Sequence, residues 1–356
     1  TKKFNWLLPI GIIIVLVIII GGLSWWQKTN TPKENLKMGA VLPFTGSSGI
    51  TGESSKNGLE LALSEINNSG GIKNRKVEIL YEDSQTKTET GLTGFQKLRS
   101  VNNVKTVFTS VSGVALAISP IANENKIIQI DIVAATPKYS SPNDFTFRTG
   151  VSSYFFASKM SDVLFSNDIK GIALLYVNTE YGAGYKEVFV KDYENKRGEI
   201  IVTETYNQDD TDFKTQITKI KQLSPNALLL ISLQKETPLL LKQMDQLNFN
   251  VPIYTDVYAA ELTDNLTTKI SNNIIYLKPT IDLGNIENMI AKKFKENYSI
   301  KYGKEPDFIA AQAYDGLYLV VEAMKKCENP ENTECVKDKL YNIKNYQGAI
   351  GNSLSF

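Results

Sequence analysis

Short runs of β-forming residues alternate with amphipathic helical patterns along this chain, and the alternation restricts the fold more than any other feature. The strand candidates are LKMGAVLPF, KVEILYED, VKTVFTSV, IIQIDIV, GIALLYV, EIIVTETY, NALLLIS and VPIYTD. Such alternation is typical of βαβ units, in which helices cover both faces of a parallel sheet. The candidates fall on both sides of about residue 150, and one open sheet rarely grows that wide. The pattern predicts an α/β protein with two doubly wound lobes.

Three segments show the apolar periodicity of helices that pack on a sheet. The first, GESSKNGLELALSEINNSGG, places on one face Leu59, Ala62, Leu63 and Ile66. The second, DDTDFKTQITKIKQLSP, has Asp212 as its expected N-cap and turns inward Phe213, Ile217 and Ile220. The third, DFIAAQAYDGLYLVVEAMKKC, buries Ala310, Ala313, Tyr314, Leu317 and Val321. We expect Asp315 in the third helix to be solvated or capping rather than catalytic, since no second acid stands at a working spacing.

Histidine is absent from the chain. Its absence removes Ser-His-Asp and Cys-His nucleophile systems and most zinc and haem sites. No GxxxxGK[ST] loop occurs, and no GxGxxG sequence follows a strand. The 39 basic and 38 acidic residues are interspersed and give a net charge of +1, which provides no electrostatic footprint for nucleic acid. We therefore expect no enzyme, no cofactor and no nucleic-acid partner.

The amino-terminal sequence TKKFNWLLPIGIIIVLVIIIGGLSWWQKTNTP carries no charge from Trp6 to Trp26. An apolar run of roughly 20 residues is long enough, as a helix, to cross ~30 Å of hydrocarbon. Lysines before the run and tryptophans at its end predict a single-pass anchor over residues 1–26, with a cytoplasmic amino terminus and an extracytoplasmic remainder. Residues 27–36 form the expected linker. The alternative is a cleaved signal peptide, although no clear small-x-small site follows and no cysteine is present for a lipid anchor.

The chain has two cysteines, Cys327 and Cys335, in the stretch CENPENTEC. An extracytoplasmic compartment is oxidising and favours a disulfide between them. Two free thiols are the alternative. In either case these residues have no expected chemical role.

The stretch IDIVAATPKYSS, residues 130–141, ends a predicted buried strand in small side chains. Pro137 prevents the strand from continuing. One explanation is that small residues turn easily. The other is that Ala134, Ala135 and Thr136 leave room for a ligand at the carboxyl end of a sheet, where open α/β folds bind their ligands.

Several motifs follow one another after the linker. The first is KMGAVLPFTGSSGITGESSKNGLELALSEINNSGGI, followed by EILYEDSQ. Then come SGVALAISPIANENKI, AATP, FTFRT, LLYVNTEYGAGY, DDTDF and AAQAYDGLYL. In order and spacing they resemble the type I periplasmic solute-binding proteins of branched-chain amino acid transporters, and the resemblance covers residues 36–356.

The resemblance implies a type I periplasmic-binding-protein fold: two α/β lobes joined by a three-strand hinge, which close on one small molecule. Lobe 1 would comprise residues 37–150, lobe 2 residues 151–278, and residues 279–330 would return to lobe 1. Residues 331–356 would return to lobe 2. Family members continue into further strands there, which leaves a truncated end or a different closure of lobe 2 as alternatives.

The resemblance also implies ligand-binding residues on lobe 1. The carbonyl of Ala134 and the hydroxyl and amide of Thr136 match groups that hold an amino acid's ammonium and carboxylate. Ser112 and Gly113 match the family's serine site. Independently of the family, these two residues precede a helix expected to start near Val114, and free N–H groups at a helix N-terminus favour an anion.

Four further residues are matched with less specificity. Tyr181 matches a tyrosine that covers the ligand, and Asp256 falls near the acidic partner of the ammonium. Phe308 aligns with an aromatic residue of the side-chain pocket. Thr51 stands where branched-chain binders usually carry an aromatic ring, so a smaller or more polar ligand side chain is expected. Without the resemblance, Tyr181 is typical of a surface turn, Asp256 of a solvated strand end and Phe308 of a core.

The resemblance implies a solute-binding protein that captures an amino acid or a similar small polar molecule by lobe closure, and the predicted membrane anchor departs from the soluble or lipid-anchored norm of the family. Its partners would be that ligand and an ABC permease in the membrane. The alternative is an interaction module that keeps the fold without the ligand, because some relatives activate cell-wall synthases or act as receptor ectodomains. An enzyme is the least favoured hypothesis.

Overall fold

The computed structural model describes residues 34–256, 273–277 and 288–351 of the 356-residue chain. The expected anchor (residues 1–26) and most of the expected linker (residues 27–36) lie outside these ranges. Within them, no helix combines the length and the apolar character needed to cross a bilayer.

Lobe 1 is built around a parallel sheet of five strands in the order β2-β1-β3-β4-β5. The strands are β1 (Leu36–Leu42), β2 (Val77–Asp83), β3 (Thr106–Thr109), β4 (Ile128–Asp131) and β5 (Thr146–Arg148). The helices of this lobe are α1 (Gly49–Asn68), α2 (Thr88–Ser100), α3 (Ser112–Glu124), α8 (Met289–Tyr302), α9 (Phe308–Lys325) and α10 (Thr333–Tyr341).

The interior strand β1 buries its two faces in different layers. Met38, Ala40 and Leu42 belong to the core that includes α1 and α9, whereas Val41 belongs to the core under α2 and α3. Helices α1 and α9 pack closely because Gly58 has no side chain: a Cβ there would lie 2.1 Å from the carbonyl oxygen of Ala310. Lobe 1 is therefore doubly wound, as the sequence predicts.

Lobe 2 has a second parallel sheet of five strands, in the order β10-β9-β8-β6-β7. Its strands are β6 (Gly171–Val177), β7 (Glu199–Tyr206), β8 (Ala227–Ile231), β9 (Ile253–Asp256) and β10 (Ile274–Leu277). Its helices are α4 (Ser153–Ser166), α5 (Glu180–Asn195), α6 (Lys214–Gln222) and α7 (Thr237–Gln246). The central β8 is buried along its whole length, as expected of a strand covered on both faces.

The chain passes from lobe 1 to lobe 2 between β5 and α4, and returns between β10 and α8, across residues 278–287 that lie outside the described ranges. Helices α8 and α9 belong to lobe 1, where Asn297 and Tyr314 bond to Glu65 of α1. A third hinge strand does not occur in the described residues.

The carboxyl-terminal segment corrects one expectation. Residues 331–356 were expected to return to lobe 2, but their described part, through Gly351, stays on lobe 1. Helix α10 packs on α9 and β4, and the ring of Tyr341 lies 4.9 Å from that of Phe147. A disulfide between Cys327 and Cys335 ties the start of α10 to the end of α9, which holds the helix there. The favoured cysteine pairing is therefore present.

The carboxylate of Asp315 fixes the backbone beyond α10. It is fully buried and accepts N–H groups from Ala349 (2.7 Å) and Ile350 (2.9 Å). Asp315 was expected to be solvated or capping, and the first of these alternatives is wrong. Asp315 instead accepts hydrogen bonds from two backbone amides in the interior. Burial raises its pKa to about 7, and the two hydrogen bonds only partly oppose that rise.

Candidate functional site

The cleft between the lobes lies at the carboxyl ends of both sheets. In lobe 1 the strand β1 lies between β2 and β3, and in lobe 2 the strand β6 lies between β7 and β8. Open α/β sheets bind ligands at such a reversal of strand order, because the loops that follow the strands separate there. The loops after β1, β3, β4, β6 and β8 enclose an inner chamber of about 60 Å³, lined by Ser48, Thr51, Ser110, Val111, Ser112, Val133, Tyr181, Leu233 and Gln234.

An outer chamber of about 360 Å³ continues from the inner one toward solvent. It shares Ser112 and Tyr181 with the inner chamber and adds Gly113, together with Gln208 from lobe 2. A larger cavity, about 810 Å³, lies on lobe 1 between α8, α9 and the segment that follows α10. We place the candidate site in the cleft, because only there do loops from the carboxyl ends of both sheets converge.

Lobe 1 presents a helix N-terminus to the cleft. Helix α3 begins at Ser112, two residues before the expected start near Val114, and its N-cap residue Val111 provides no side-chain hydrogen bond. The first amides of a helix have no partner within the helix and carry partial positive charge. With the Ser112 hydroxyl beside them, they form a place for a carboxylate.

The side chain of Asp131 fixes the turn after β4 by hydrogen bonds. One of its carboxylate oxygens accepts the backbone N–H groups of Val133 (2.8 Å) and Ala134, and the other accepts the hydroxyl of Thr109 at 2.5 Å. These bonds explain why β4 ends at Asp131 rather than continuing to Val133: the amides beyond it bond to a side chain instead of a neighbouring strand. Burial raises the pKa of Asp131 to about 6, although its hydrogen bonds and the Arg148 charge oppose the shift.

Arg148 holds the other side of the same turn. Its guanidinium donates to the carbonyl oxygens of Ala134 (3.4 Å), Thr136 (3.1 Å) and Tyr139. Burial lowers the pKa of Arg148, and the nearby Asp131 carboxylate partly offsets the effect. The carbonyl of Ala134, expected to accept a ligand's ammonium, therefore already accepts a hydrogen bond from Arg148. The backbone amide of Thr136 donates to the hydroxyl oxygen of Ser112 at 3.4 Å.

Lobe 2 presents a phenol and a carboxylate. Tyr181, in the first turn of α5, donates its hydroxyl to Asp256 at the end of β9 at 2.5 Å. Thr179 caps α5 by accepting the N–H of Gly182, which fixes the helix that carries Tyr181. The ring of Tyr185 lies 6.5 Å from that of Tyr181, and burial followed by the Asp256 charge raises the pKa of Tyr185. The Tyr181 hydroxyl therefore stands between Asp256 and the chamber.

Hydrogen bonds across the cleft join the two lobes. The amide nitrogen of Gln234 donates to the Thr51 hydroxyl at 2.6 Å, in buried surroundings. The hydroxyl of Ser47 donates to the fully buried carboxylate of Glu236 at 2.6 Å. Gln208 donates to the backbone carbonyl of Thr86 at 3.2 Å. The structure therefore has its lobes closed on one another.

The structure brings some of the expected residues together and separates others. Thr51, Ser112 and Tyr181 line the inner chamber, and Gly113 lines the outer one. Asp256 lies one hydrogen bond behind Tyr181. The remaining three, which are buried and do not line either chamber, are Ala134, Thr136 and Phe308.

Sequence reasoning missed several lining residues. Ser48 and Ser110 follow β1 and β3, and Leu233 and Gln234 follow β8. Each lies in the loop that follows a predicted strand, so the carboxyl ends of these strands were the available signal. Among the described residues, no group of acidic or cysteine side chains could hold a metal ion.

Comparison with known proteins agrees with this architecture. Residues 35–355 match a sequence profile described as periplasmic binding protein. Leu/Ile/Val-binding protein homolog 1 of Brucella abortus (strain 2308) is 25% identical over 335 residues, which cover 92% of this chain and 86% of that protein.

Solved structures give the same result. The branched-chain amino acid transporter substrate-binding protein LivJ of Streptococcus pneumoniae, in complex with isoleucine, is 26% identical with a TM-score of 0.78, over 89% of this chain and 91% of that one. The leucine-binding protein LivK of Thermotoga maritima shares the fold, with a TM-score of 0.80 at 22% identity over 90% and 93% of the two chains. With its two parallel sheets, its cleft at the carboxyl ends of both, and a profile match along nearly its whole length, the chain belongs to the periplasmic binding protein family.

Proposed function

We propose that this protein is an extracytoplasmic solute-binding protein that captures a small α-amino acid by lobe closure and delivers it to an ABC permease. One observation carries the proposal: a chamber between the lobes has a helix N-terminus with Ser112 on one side and Tyr181, hydrogen-bonded to Asp256 behind it, on the other. A zwitterion needs donors at one end and acceptors at the other. The two walls of the chamber provide these.

The roles follow from charge. The amides at the start of α3 and the hydroxyl of Ser112 bind the carboxylate, because uncapped helix N-termini attract anions. The hydroxyl oxygen of Tyr181 faces the ammonium, and Asp256, one hydrogen bond behind Tyr181, supplies the balancing negative charge. A ligand held by both lobes stabilises the closed state by its differential affinity for the closed over the open form.

Two relatives support an amino acid as the cargo. The Brucella protein is named as a Leu/Ile/Val-binding protein homolog, and the pneumococcal LivJ structure contains isoleucine. The amino acids named for these two relatives all carry an α-carboxylate and an α-ammonium. We propose that the same two groups are recognised here, through Ser112 and Asp256.

The proposal includes the membrane anchor over residues 1–26. An anchor would hold the binding lobes beside the permease and raise their effective concentration there. The alternative, an interaction module that no longer binds a ligand, would need no polar groups inside the cleft. The hydroxyl and amide side chains of the inner chamber favour ligand capture.

Titration calorimetry of the full chain in detergent, against a panel of α-amino acids, tests the proposal. At least one amino acid should bind with one site per chain. Ser112→Ala should weaken that binding about tenfold and Asp256→Asn by more than tenfold, since hydrogen bonds to charged groups are the stronger ones. Asp168→Asn, which alters an exposed carboxylate paired with Lys170, is the matched control. Unchanged affinity in both cleft variants would contradict the site.

A further inference from the structure

We infer that the inner chamber selects an α-amino acid whose side chain carries a hydroxyl or a primary amide over an apolar amino acid of the same shape. The inference rests on the proposed function and goes beyond it, because the pneumococcal relative was solved with the apolar isoleucine. It is carried by Gln234 and Ser110, two lining residues from opposite lobes.

Gln234 places a buried hydrogen-bond acceptor in the wall of the chamber. Its side-chain nitrogen is committed to the Thr51 hydroxyl at 2.6 Å, which fixes the amide plane. Its side-chain oxygen is buried and has no hydrogen-bond partner within the described part of the chain. The residue as a whole is 7% exposed, so bulk solvent does not satisfy that oxygen.

Ser110 presents a second buried polar group. Its hydroxyl has no hydrogen-bond partner among residues 34–256, 273–277 and 288–351, and the residue is 4% exposed. It follows β3 in lobe 1, whereas Gln234 follows β8 in lobe 2. A ligand side chain between them meets an acceptor on one side and a hydroxyl on the other.

The consequence for selectivity follows from the cost of unpaired groups. A buried donor or acceptor that loses water and gains no partner destabilises the state that buries it. An apolar ligand would close the chamber with both groups unpaired, whereas a hydroxyl or amide of the ligand pairs at least one of them. A site built to form hydrogen bonds discriminates strongly against an isostere that lacks them. We expect a preference of about tenfold to a hundredfold.

Isosteric pairs of amino acids provide the experiment. Threonine and valine have nearly the same shape, as do asparagine and leucine, so each pair isolates the hydrogen bonds from size. Calorimetric titration of the full chain in detergent with these four compounds should show threonine or asparagine binding at least tenfold more tightly than its apolar partner. Valine and leucine binding as tightly as their polar partners would overturn the inference and leave the proposed function standing. Failure of every α-amino acid to bind would overturn both.

Variants identify the groups responsible. Gln234→Met and Ser110→Ala should each lower the polar-to-apolar affinity ratio severalfold toward one. Gln208→Met is the matched control: it also removes a hydrogen bond between the lobes, but outside the inner chamber. It should weaken all ligands together and keep the ratio. A ratio unchanged in both Gln234→Met and Ser110→Ala would contradict the assignment.

Discussion

Two buried carboxylates show how single residues determine the path of this chain. Asp131 ends β4 by accepting the next two amides, and Asp315 holds the backbone at Ala349 and Ile350. In both, burial raises the pKa, to about 6 and about 7. An aspartate in a sequence does not reveal such a role, because the N–H groups that bond to it belong to irregular backbone or to residues far away in sequence.

The raised pKa of Asp131 predicts a pH dependence of stability. The pKa of this carboxyl is about 6 in the folded state, against an ordinary value of 3.8. Its contribution to stability is therefore fully present below pH 3.8 and is lost as pH rises through about 6. Asp131→Asn keeps an oxygen for the two amides and cannot ionise. The stability of the native protein relative to this variant, from urea denaturation, should therefore fall between pH 4 and pH 7 by up to ~3 kcal/mol.

The exposed Asp168 serves as the control for this prediction. Asp168→Asn should show no comparable change in relative stability over the same interval. A native protein that gains stability relative to Asp131→Asn as pH rises would contradict the account of Asp131.

Gly348 should tolerate no side chain. A Cβ at this position would lie 2.4 Å from a carboxylate oxygen of Asp315, which is fixed by its hydrogen bonds. We expect Gly348→Ala to lower the free energy of unfolding by about 1–3 kcal/mol, as overpacking does in a filled interior. Gly351→Ala is the control, since a Cβ there meets no atom within 4 Å. Equal denaturation midpoints for the two variants would show that the contact with Asp315 is absent.

At the scale of elements, the sequence predicted strands and helices well and their ends less well. Hydrophobic periodicity identified α1 and α9, whose apolar stripes are buried against each other. Helix α6 begins at Lys214 with Phe213 as its N-cap, rather than with the expected Asp212. Asp212 still accepts the Lys214 amide at 3.1 Å, so the capping signal was offset by one residue.

Removal of the disulfide should destabilise one element of lobe 1 without affecting the cleft. Cys327 and Cys335 are 8 residues apart, and closing so short a loop stabilises the fold by about 2–3 kcal/mol in the chain-entropy account. The backbone carbonyl of the neighbouring Glu328 accepts a hydrogen bond from Lys73, which precedes β2 at the amino ends of the strands, away from the cleft. Replacing both cysteines by alanine should lower the melting temperature and leave ligand affinity unchanged. A loss of affinity beyond twofold would contradict this separation.

At the scale of the molecule, the two-lobe architecture and the position of the cleft were predictable, because the motifs of each βα unit occur in family order. The pairing of residues across the cleft was not. Gln234 and Thr51 are far apart in sequence and meet only when the lobes close. The return of the carboxyl-terminal segment was predicted wrongly, because the disulfide and the Tyr341–Phe147 contact keep it on lobe 1.

The closed arrangement of the lobes predicts a kinetic effect for Ser47→Ala. This substitution removes the Ser47 hydroxyl from the buried carboxylate of Glu236, and so weakens the closed state only. Stopped-flow measurements should show a ligand dissociation rate about tenfold higher with little change in association rate. Ser100→Ala, on the exposed end of α2, is the control. An unchanged dissociation rate would show that this contact does not hold the lobes together.

Recognition of both charged groups of an α-amino acid can be measured by thermal melting of the full chain. The ligand found by titration should be compared with the amine that lacks its carboxylate and with the acid that lacks its ammonium. The amino acid at 100 times its dissociation constant should add ~2.7 kcal/mol of stability and raise the melting temperature, while the amine and the acid should not. An equal rise with the amine or the acid, or no rise with any α-amino acid, would contradict it.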